Sequence, residues 1–361
     1  MKEATLHIDL DSILYNYRHL KCYYNKKVIA VLKDNAYGIG LLEVYKTLKD
    51  ESDLIVALSS LIEVEKLRNI DCKNDIIYLN VFDENDIEFI KANNVVVIVE
   101  NLKQLELVKK YQLRFHLKFA SKMNRLGLNY QDALVAILKI NRNLNSYKLE
   151  GVMSHFADED KDHSNYYLFE KYIKKINKKD LIIHCFASSS LNEYFDNITT
   201  HIRVGLKLYG IGERNAFLHN VVTLTSPILT IKEVKKDQEV GYDLTYRCKE
   251  NGYLYILPIG YGQGLVRYKD SICFVDNLFL KQAGKISMDY ATYFSTTLID
   301  INKNVELFGK KIPIESLCKI NNISPHEIIV SLKVKKEYKK LTLKWKSTTS
   351  SAICDKDYDL K

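Results

Sequence analysis

Val28-Ile-Ala-Val-Leu32 runs straight into Lys33-Asp-Asn-Ala-Tyr37-Gly38-Ile-Gly40. Five apolar residues without polar alternation make the pattern of a strand buried on both faces, as in a parallel sheet. The lysine and the two glycines then mark the strand's carboxyl end and a turn. The same texture recurs at Leu54–Leu58, Ile76–Leu79, Val95–Val99, Phe115–Phe119, Leu149–Ser154, Leu181–Phe186 and Ile202–Leu206. The repeat is about 25 residues, room for a strand, a helix and two short loops. Amphipathic segments fill the gaps, at 61–68, 86–91, 102–110, 131–140 and 166–176. Eight strands alternating with helices predict a (β/α)8 TIM-type barrel; a doubly wound open sheet is the competing arrangement.

After about Phe217 the texture changes. Val221–Val234, Tyr253–Leu257, Ile272–Val275, Phe279–Lys285, Ala291–Phe294 and Lys311–Ile314 are short strand-like runs separated by turn residues. They predict a mostly β C-terminal domain, with the chain dividing into 1–216 and 217–361. A chain of 361 residues with 47% hydrophobic and 27% charged content, 14 Gly and 4 Pro excludes collagen-like and low-complexity classes. No apolar run approaches the length that spans a bilayer, and the N-terminal residues carry acids where a signal peptide is apolar, so no membrane partner is expected. Seven scattered cysteines without a C-x-x-C pair read as reduced thiols in a cytoplasm.

In a barrel of this class the chemistry sits at the carboxyl ends of the strands. The polar residues that the strand assignments place there are Lys33, Lys118 with Arg125 after it, His155, the run Ser188-Ser-Ser190, and Arg203. A lysine against a desolvating wall has a depressed pKa and can form a Schiff base. Hydroxyls and backbone N–H groups ahead of a helix suit a phosphate, and equally an ordinary helix cap. A solvated lysine and a structural histidine are the ordinary readings of Lys33 and His155 taken singly.

Taken together and in order, these residues resemble a family. Lys33-Asp-Asn-Ala-Tyr-Gly-Ile-Gly is similar to the pyridoxal-phosphate signature of the alanine racemases, the fold-type III pyridoxal-phosphate racemases. Lys118, Met123-Asn-Arg125-Leu-Gly127, Gly151-Val-Met-Ser-His155-Phe, Arg203-Val-Gly-Leu-Lys-Leu-Tyr209-Gly, Val240-Gly-Tyr242, Pro258-Ile-Gly-Tyr261-Gly and Ser287-Met288-Asp289 follow in the family's order. The resemblance implies pyridoxal 5'-phosphate held covalently by Lys33, which also serves as one proton-transfer base, and Tyr242 as the second base on the opposite face. It implies His155 bridging Tyr242 to Arg203, and Arg203 facing the pyridine nitrogen. Tyr37, Ser188, Tyr261, Gly205 and Leu206 match the phosphate-binding positions, and Arg125, Met288 and Asp289 the substrate-binding ones. Lys118 matches a lysine that the family often carbamylates and uses to orient the arginine. Because Tyr242, Met288 and Asp289 reach the site from the other subunit in the family, a homodimer with shared active sites is implied.

The activity so implied is interconversion of L- and D-alanine, a small amino-acid substrate. Departures cluster near that substrate. Between Lys118 and Arg125 the family's usual Asp-Thr-Gly-Met-Gly is replaced by Phe-Ala-Ser-Lys-Met-Asn, and Leu332 stands where many members place a tyrosine. A serine or broad-spectrum racemase, a decarboxylase, and a pyridoxal-phosphate binder without racemase activity therefore stay open. Other features are weaker. Asp158-Glu-Asp160 with Asp162 has no metal-ligand spacing and reads as a solvated loop, so no metal is expected. Residues 301–346 hold 11 Lys against 4 Glu, most of the chain's net +8. The cluster around Lys333–Lys340 fits outward positions of a strand, and no nucleic-acid module surrounds it.

Overall fold

The computed structural model describes residues 3–156, 163–186, 197–212 and 217–339. These form two units. One takes the chain up to Asn16, Tyr37–Ile39 and the described residues from Tyr209 onward; the other takes Tyr17–Ala36 and Gly40–Leu208.

The second unit is the barrel. After β1 (Thr5–Asp9) the strands are β2 (Lys27–Val31), β3 (Ile55–Leu58), β4 (Asp75–Tyr78), β5 (Val96–Val99), β6 (Arg114–Lys118), β7 (Lys148–Phe156), β8 (Ile182–Phe186) and β9 (His201–Val204). They pair in parallel in the order β8-β7-β6-β5-β4-β3-β2-β9, the β2–β9 ladder setting Ile29 against Arg203. That order curls the sheet back on itself. At the remaining seam Thr200 N–H donates to Ile183 O at 2.9 Å, and Ile183 N–H donates to Thr200 Oγ1 at 2.8 Å. The barrel, not the open sheet, is the outcome. Its helices include Leu61–Arg68, Leu102–Tyr111, Tyr130–Arg142 and Ser164–Ile173, each close to an amphipathic segment expected from the sequence.

The strands bury both faces, and the barrel interior accepts several polar side chains. His116, His184, Ser154 and Arg203 are all at most 5% exposed. Gly151 makes room for one of them. A Cβ there would stand 2.8 Å from two ring carbons of His116 and 2.5 Å from Ile182 O, so only glycine fits.

The other unit is built on a nine-stranded sheet of β10 (Val222–Pro227), β11 (Thr230–Val234), β14 (Gly252–Leu257), β15 (Ile272–Val275), β16 (Leu278–Gln282), β17 (Ala291–Ser295), β18 (Asn304–Phe308), β19 (Lys335–Lys339) and β1, with β12 (Glu239–Val240) and β13 (Tyr246–Arg247) as a separate hairpin. Two features differ from expectation. The run Lys311–Ile314 is not a strand; β18 precedes it, and Ile314 opens a helix to Asn321. And β1 belongs here, antiparallel to β10 (Thr5 opposite Thr225) and parallel to β19 (Thr5 opposite Lys335). The N-terminal strand thus completes the sheet that the C-terminal residues build. The reason is hydrogen bonding: β1 sits between β10 and β19 and satisfies the ladder groups of both. The Lys-rich segment does form a strand, β19, whose Lys335 and Lys339 side chains are exposed.

Five cysteines, Cys72, Cys185, Cys248, Cys273 and Cys318, are free as expected. Cys22 is disulfide-bonded, which the reading of all seven as reduced thiols did not foresee; Cys354 lies outside the described residues. Among the described residues no helix is long and apolar enough to cross a membrane, and no cluster of His, Cys, Asp and Glu could hold a metal ion.

Leu6 is 1% exposed in β1. Leu6→Ala should cost about 2–5 kcal/mol in urea unfolding. Amide exchange should quicken in β10 and β19 while the barrel strands keep their protection, which checks that β1 stabilises the C-terminal sheet.

Candidate active site

Lys33 follows β2 at the barrel's carboxyl end, with Asp34 Oδ2 at 3.9 Å from its amine. The chain then takes the turn that the glycines mark, in a conformation that the sequence did not announce. Asp34, Asn35, Ala36 and Tyr37 all have left-handed backbone angles, with φ of 54°, 56°, 53° and 57°. Each non-glycine residue so placed costs roughly 1–2 kcal/mol. The turn is held from several sides. Asn35 N–H donates to Glu63 Oε1 at 2.6 Å, Gly40 N–H to Asn35 O at 2.9 Å, and Leu41 N–H to Asn35 Oδ1 at 2.9 Å. Glu63 is 8% exposed, and burial first of all raises its pKa. Glu63 lies in the amphipathic segment 61–68, which by itself marks no role for it. Tyr37, at the turn's end, is buried edge-on to the ring of Tyr209, centroids 6.0 Å apart, and the Tyr209 hydroxyl is buried with no hydrogen-bond partner.

Arg203 in β9 organises the barrel interior. Its Nη1 donates to His184 Nδ1 at 2.7 Å and to His184 O at 3.0 Å. Its Nη2 donates to Ser154 O at 2.9 Å, Cys185 O at 3.0 Å and His155 Nδ1 at 3.1 Å. A guanidinium has donors only, so both imidazoles must present a bare Nδ1 to it and carry their proton on Nε2. His184 Nε2–H then donates to His116 Nδ1 at 2.8 Å. His116 in turn holds its proton on Nε2, which is buried without a partner. Burial, then the charges of Arg203, Arg125, Lys118 and Lys33, pull the pKa of His155 down to about 3. His155 is therefore a neutral imidazole with an Nε2–H donor.

The structure thus brings Lys33, Lys118, Arg125, His155 and Arg203 together on the barrel's carboxyl-end rim. Lys118 is buried, and its Nζ donates to Glu100 Oε1 at 2.6 Å. Glu100 is a residue that sequence reading passed over. Its signal was available, because Glu100 directly follows the apolar run Val95–Val99, as Lys33 follows Val28–Leu32. Arg125 is exposed. Gly205 accepts the Leu208 N–H at 2.9 Å, and Leu206 opens a 3-10 turn to Tyr209. Ser188 lies outside the described residues, as do Asp158, Glu159, Asp160 and Asp162.

Tyr242, Tyr261, Met288 and Asp289 lie in the other unit, on neighbouring loops. Tyr261 N–H donates to Ser287 O at 3.1 Å, Gly262 N–H to Met288 O at 2.8 Å, and Gln263 Nε2 to Asp289 Oδ1 at 3.5 Å. Gly241, before Tyr242, packs on Gly284, and Asp243 pairs with Lys285. Tyr242 is 68% exposed, Met288 55% and Tyr261 43%.

Family models for the alanine racemase N-terminal and C-terminal domains match residues 8–213 and 221–339. The chain belongs to the alanine racemase family. An alanine racemase of Fusobacterium nucleatum is 30% identical over 344 residues, covering 90% of this chain and 94% of that protein. One from Streptococcus equi subsp. equi is 28% identical over 323 residues, covering 84% and 88%. Among solved structures, the alanine racemase of Acinetobacter baumannii has a TM-score of 0.85 at 22% identity, covering 94% of this chain and all of the other. That of Bartonella henselae, which carries covalently bound pyridoxal phosphate, has a TM-score of 0.85 at 23% identity over the same shares. They have the same fold as this racemase-family chain.

His116 supplies a pH test. Burial, then His201, Arg114 and Arg203, depress its pKa from 6.5 to about 3. A histidine with a lowered folded pKa contributes its full stability above pH 6.5. That contribution is lost as the pH falls toward 3, because the unfolded chain takes up a proton that the folded one refuses. His116→Asn keeps an acceptor for His184 and removes the titration. Between pH 7.5 and 5.0, urea unfolding should show the wild type losing about 2 kcal/mol more than the variant.

Proposed function

We propose that this chain is a pyridoxal-phosphate-dependent racemase interconverting L- and D-alanine, with Lys33 and Tyr242 as bases on opposite faces of the substrate. The observation that carries the reading is the Arg203–His155 pair: a buried guanidinium that orients a neutral imidazole, with the charges of Arg125, Lys118 and Lys33 acting on that ring. That donor set fits an anionic, phosphate-bearing aldehyde whose partner amine is Lys33. Pyridoxal phosphate, when bound, supplies the electron sink that makes the α-proton of an amino acid acidic. Everything else falls to the protein.

Lys33 Nζ takes or returns the α-proton on one face, and Tyr242 Oη does so on the other, since inversion requires removal from one side and delivery from the opposite one. A phenol titrates near 10, so Tyr242 needs help to work as a base. His155 gives it by donating its Nε2–H to the phenolate oxygen, while Arg203 keeps the other ring nitrogen occupied. Arg203 can donate to a pyridine nitrogen and cannot give up its proton at working pH, so it leaves that nitrogen unprotonated and limits side reactions. Arg125 and the Met288 backbone hold the substrate's carboxylate, Asp289 lies beside them in the substrate-binding set, and Tyr37, Ser188, Gly205, Leu206 and Tyr261 hold the phosphate.

The working form is a homodimer in which Tyr242 of the partner subunit completes each site. The exposure of the large apolar side chains of Tyr242, Leu244, Met288 and Tyr290 supports this, since a partner surface would cover them.

The reconstituted protein should be yellow, and borohydride should fix the cofactor on Lys33. Lys33→Ala should abolish that attachment. Tyr242→Phe should keep the colour and slow α-proton exchange in deuterated water about 10²–10⁴-fold for one enantiomer; equal loss for both would contradict distinct bases. A panel of L-amino acids, scored for D-isomer and CO₂, separates alanine racemisation from serine racemisation and decarboxylation. Cofactor binding with no exchange for any amino acid would sink the racemase reading.

A further inference from the structure

Glu63 reaches the turn after Lys33 from another element. β2 and β3 are neighbours, Val31 facing Ala57, and Leu32 N–H donates to Ala57 O at 2.9 Å. The helix Leu61–Arg68 that follows β3 therefore starts beside the end of β2, with Glu63 in its first turn. Glu63 is buried, and its Oε1 accepts the Asn35 N–H at 2.6 Å. The other bonds that Asn35 and Ala36 make stay within residues 32–41. They are Ala36 N–H to Leu32 O, Gly40 N–H to Asn35 O and Leu41 N–H to Asn35 Oδ1, each at 2.9 Å. Bonds inside a segment give it shape; a bond to another element fixes where it lies. Asn35 is itself exposed, so without Glu63 its N–H would turn to water. Asp34, Asn35, Ala36 and Tyr37 are all left-handed, a conformation from which a chain relaxes unless its surroundings hold it.

We infer that Glu63 is a positioning residue for Lys33: by gripping Asn35 N–H it holds the left-handed turn, and so sets the direction of the amine two residues earlier. It therefore governs cofactor attachment and proton transfer on the Lys33 face, and leaves the Tyr242 face alone. The inference rests on the racemase reading for the two faces. On the Lys33 face the Cα–H bond breaks, an N–H bond forms at Nζ, and the electron pair stays with the substrate carbon. Such a transfer needs the nitrogen placed and aimed within a fraction of an ångström. Lys33 has a long flexible side chain, and its Cα is the one point from which the protein can aim it. The acceptor atom on Glu63 does this work. Burial raises the pKa of Glu63, and the Asn35 N–H is the main influence the other way, so the bond and the anion support each other.

Three variants of the full chain test it. Glu63→Leu removes the acceptor, Glu63→Asp draws it back by one methylene, and Glu63→Gln keeps an oxygen in place without the charge. Before cofactor is added, the Asn35 amide should exchange faster than wild type in Glu63→Leu and Glu63→Asp, and at the wild-type rate in Glu63→Gln. Pyridoxal phosphate is then added and the mixture quenched with borohydride at intervals. Fixation on Lys33 should be about tenfold or more slower in Glu63→Leu, slower in Glu63→Asp, and near normal in Glu63→Gln. In the loaded enzyme, Glu63→Leu should slow α-proton exchange in deuterated water about tenfold or more for the enantiomer that Tyr242→Phe spares, and less than about twofold for the other. Should Glu63→Leu not fold, Glu63→Asp carries the same comparison. Equal loss for both enantiomers overturns the inference, as does fixation at the wild-type rate in Glu63→Asp. So does a Glu63→Gln protein as slow as Glu63→Leu. The amide and borohydride arms use no racemisation, so they decide the place of Glu63 even where the racemase reading fails.

Discussion

One buried positive charge sets the order of the barrel interior. Arg203 sits inside the parallel barrel, shielded from water, and a guanidinium there survives only if acceptors surround it. Three are backbone carbonyls near the ends of β7 and β8, and two are imidazole nitrogens. Because a guanidinium only donates, its presence dictates where every proton on His155, His184 and His116 resides. The last member of that chain leaves a buried N–H unsatisfied, a local cost of about 1–3 kcal/mol. At His155 the same contact leaves Nε2–H as the ring's remaining donor.

A second constraint operates at Lys33. Four consecutive left-handed residues without a glycine among them are unfavourable on their own, and Asp34 and Asn35 tolerate that conformation better than most residues. The turn persists because Glu63 and the Asn35 side chain satisfy its backbone groups. Strain of this kind is maintained by its surroundings and gathers where a group must be aimed; here the group is the amine at the end of β2.

The strand positions were legible because parallel strands buried on both faces leave an apolar run that needs no partner to be recognised. The rule that chemistry lies at carboxyl ends then selected Lys33, Lys118, His155 and Arg203, and the structure brings all four together. It should also have selected Glu100. Glu63 was hidden for another reason: an acid in the first turn of an amphipathic helix looks like any solvated acid until the loop it caps is seen. β1 was missed because a strand that pairs with partners more than 200 residues away leaves no local mark. The run Lys311–Ile314 misled because four residues of mixed character fit a strand and a helix start equally well.

By itself, the sequence determined the alternation of buried strands and helices, the β-rich second unit, the family and the candidate residues, since apolar periodicity and ordered motifs are properties of the chain read locally. Tertiary structure alone decided which strand completes which sheet, which nitrogen of each histidine carries its proton, and that Lys118 has a carboxylate beside it. Those facts depend on groups brought within hydrogen-bond reach from distant parts of the chain and on the removal of water around them. Neither proximity nor desolvation is written in a run of residues.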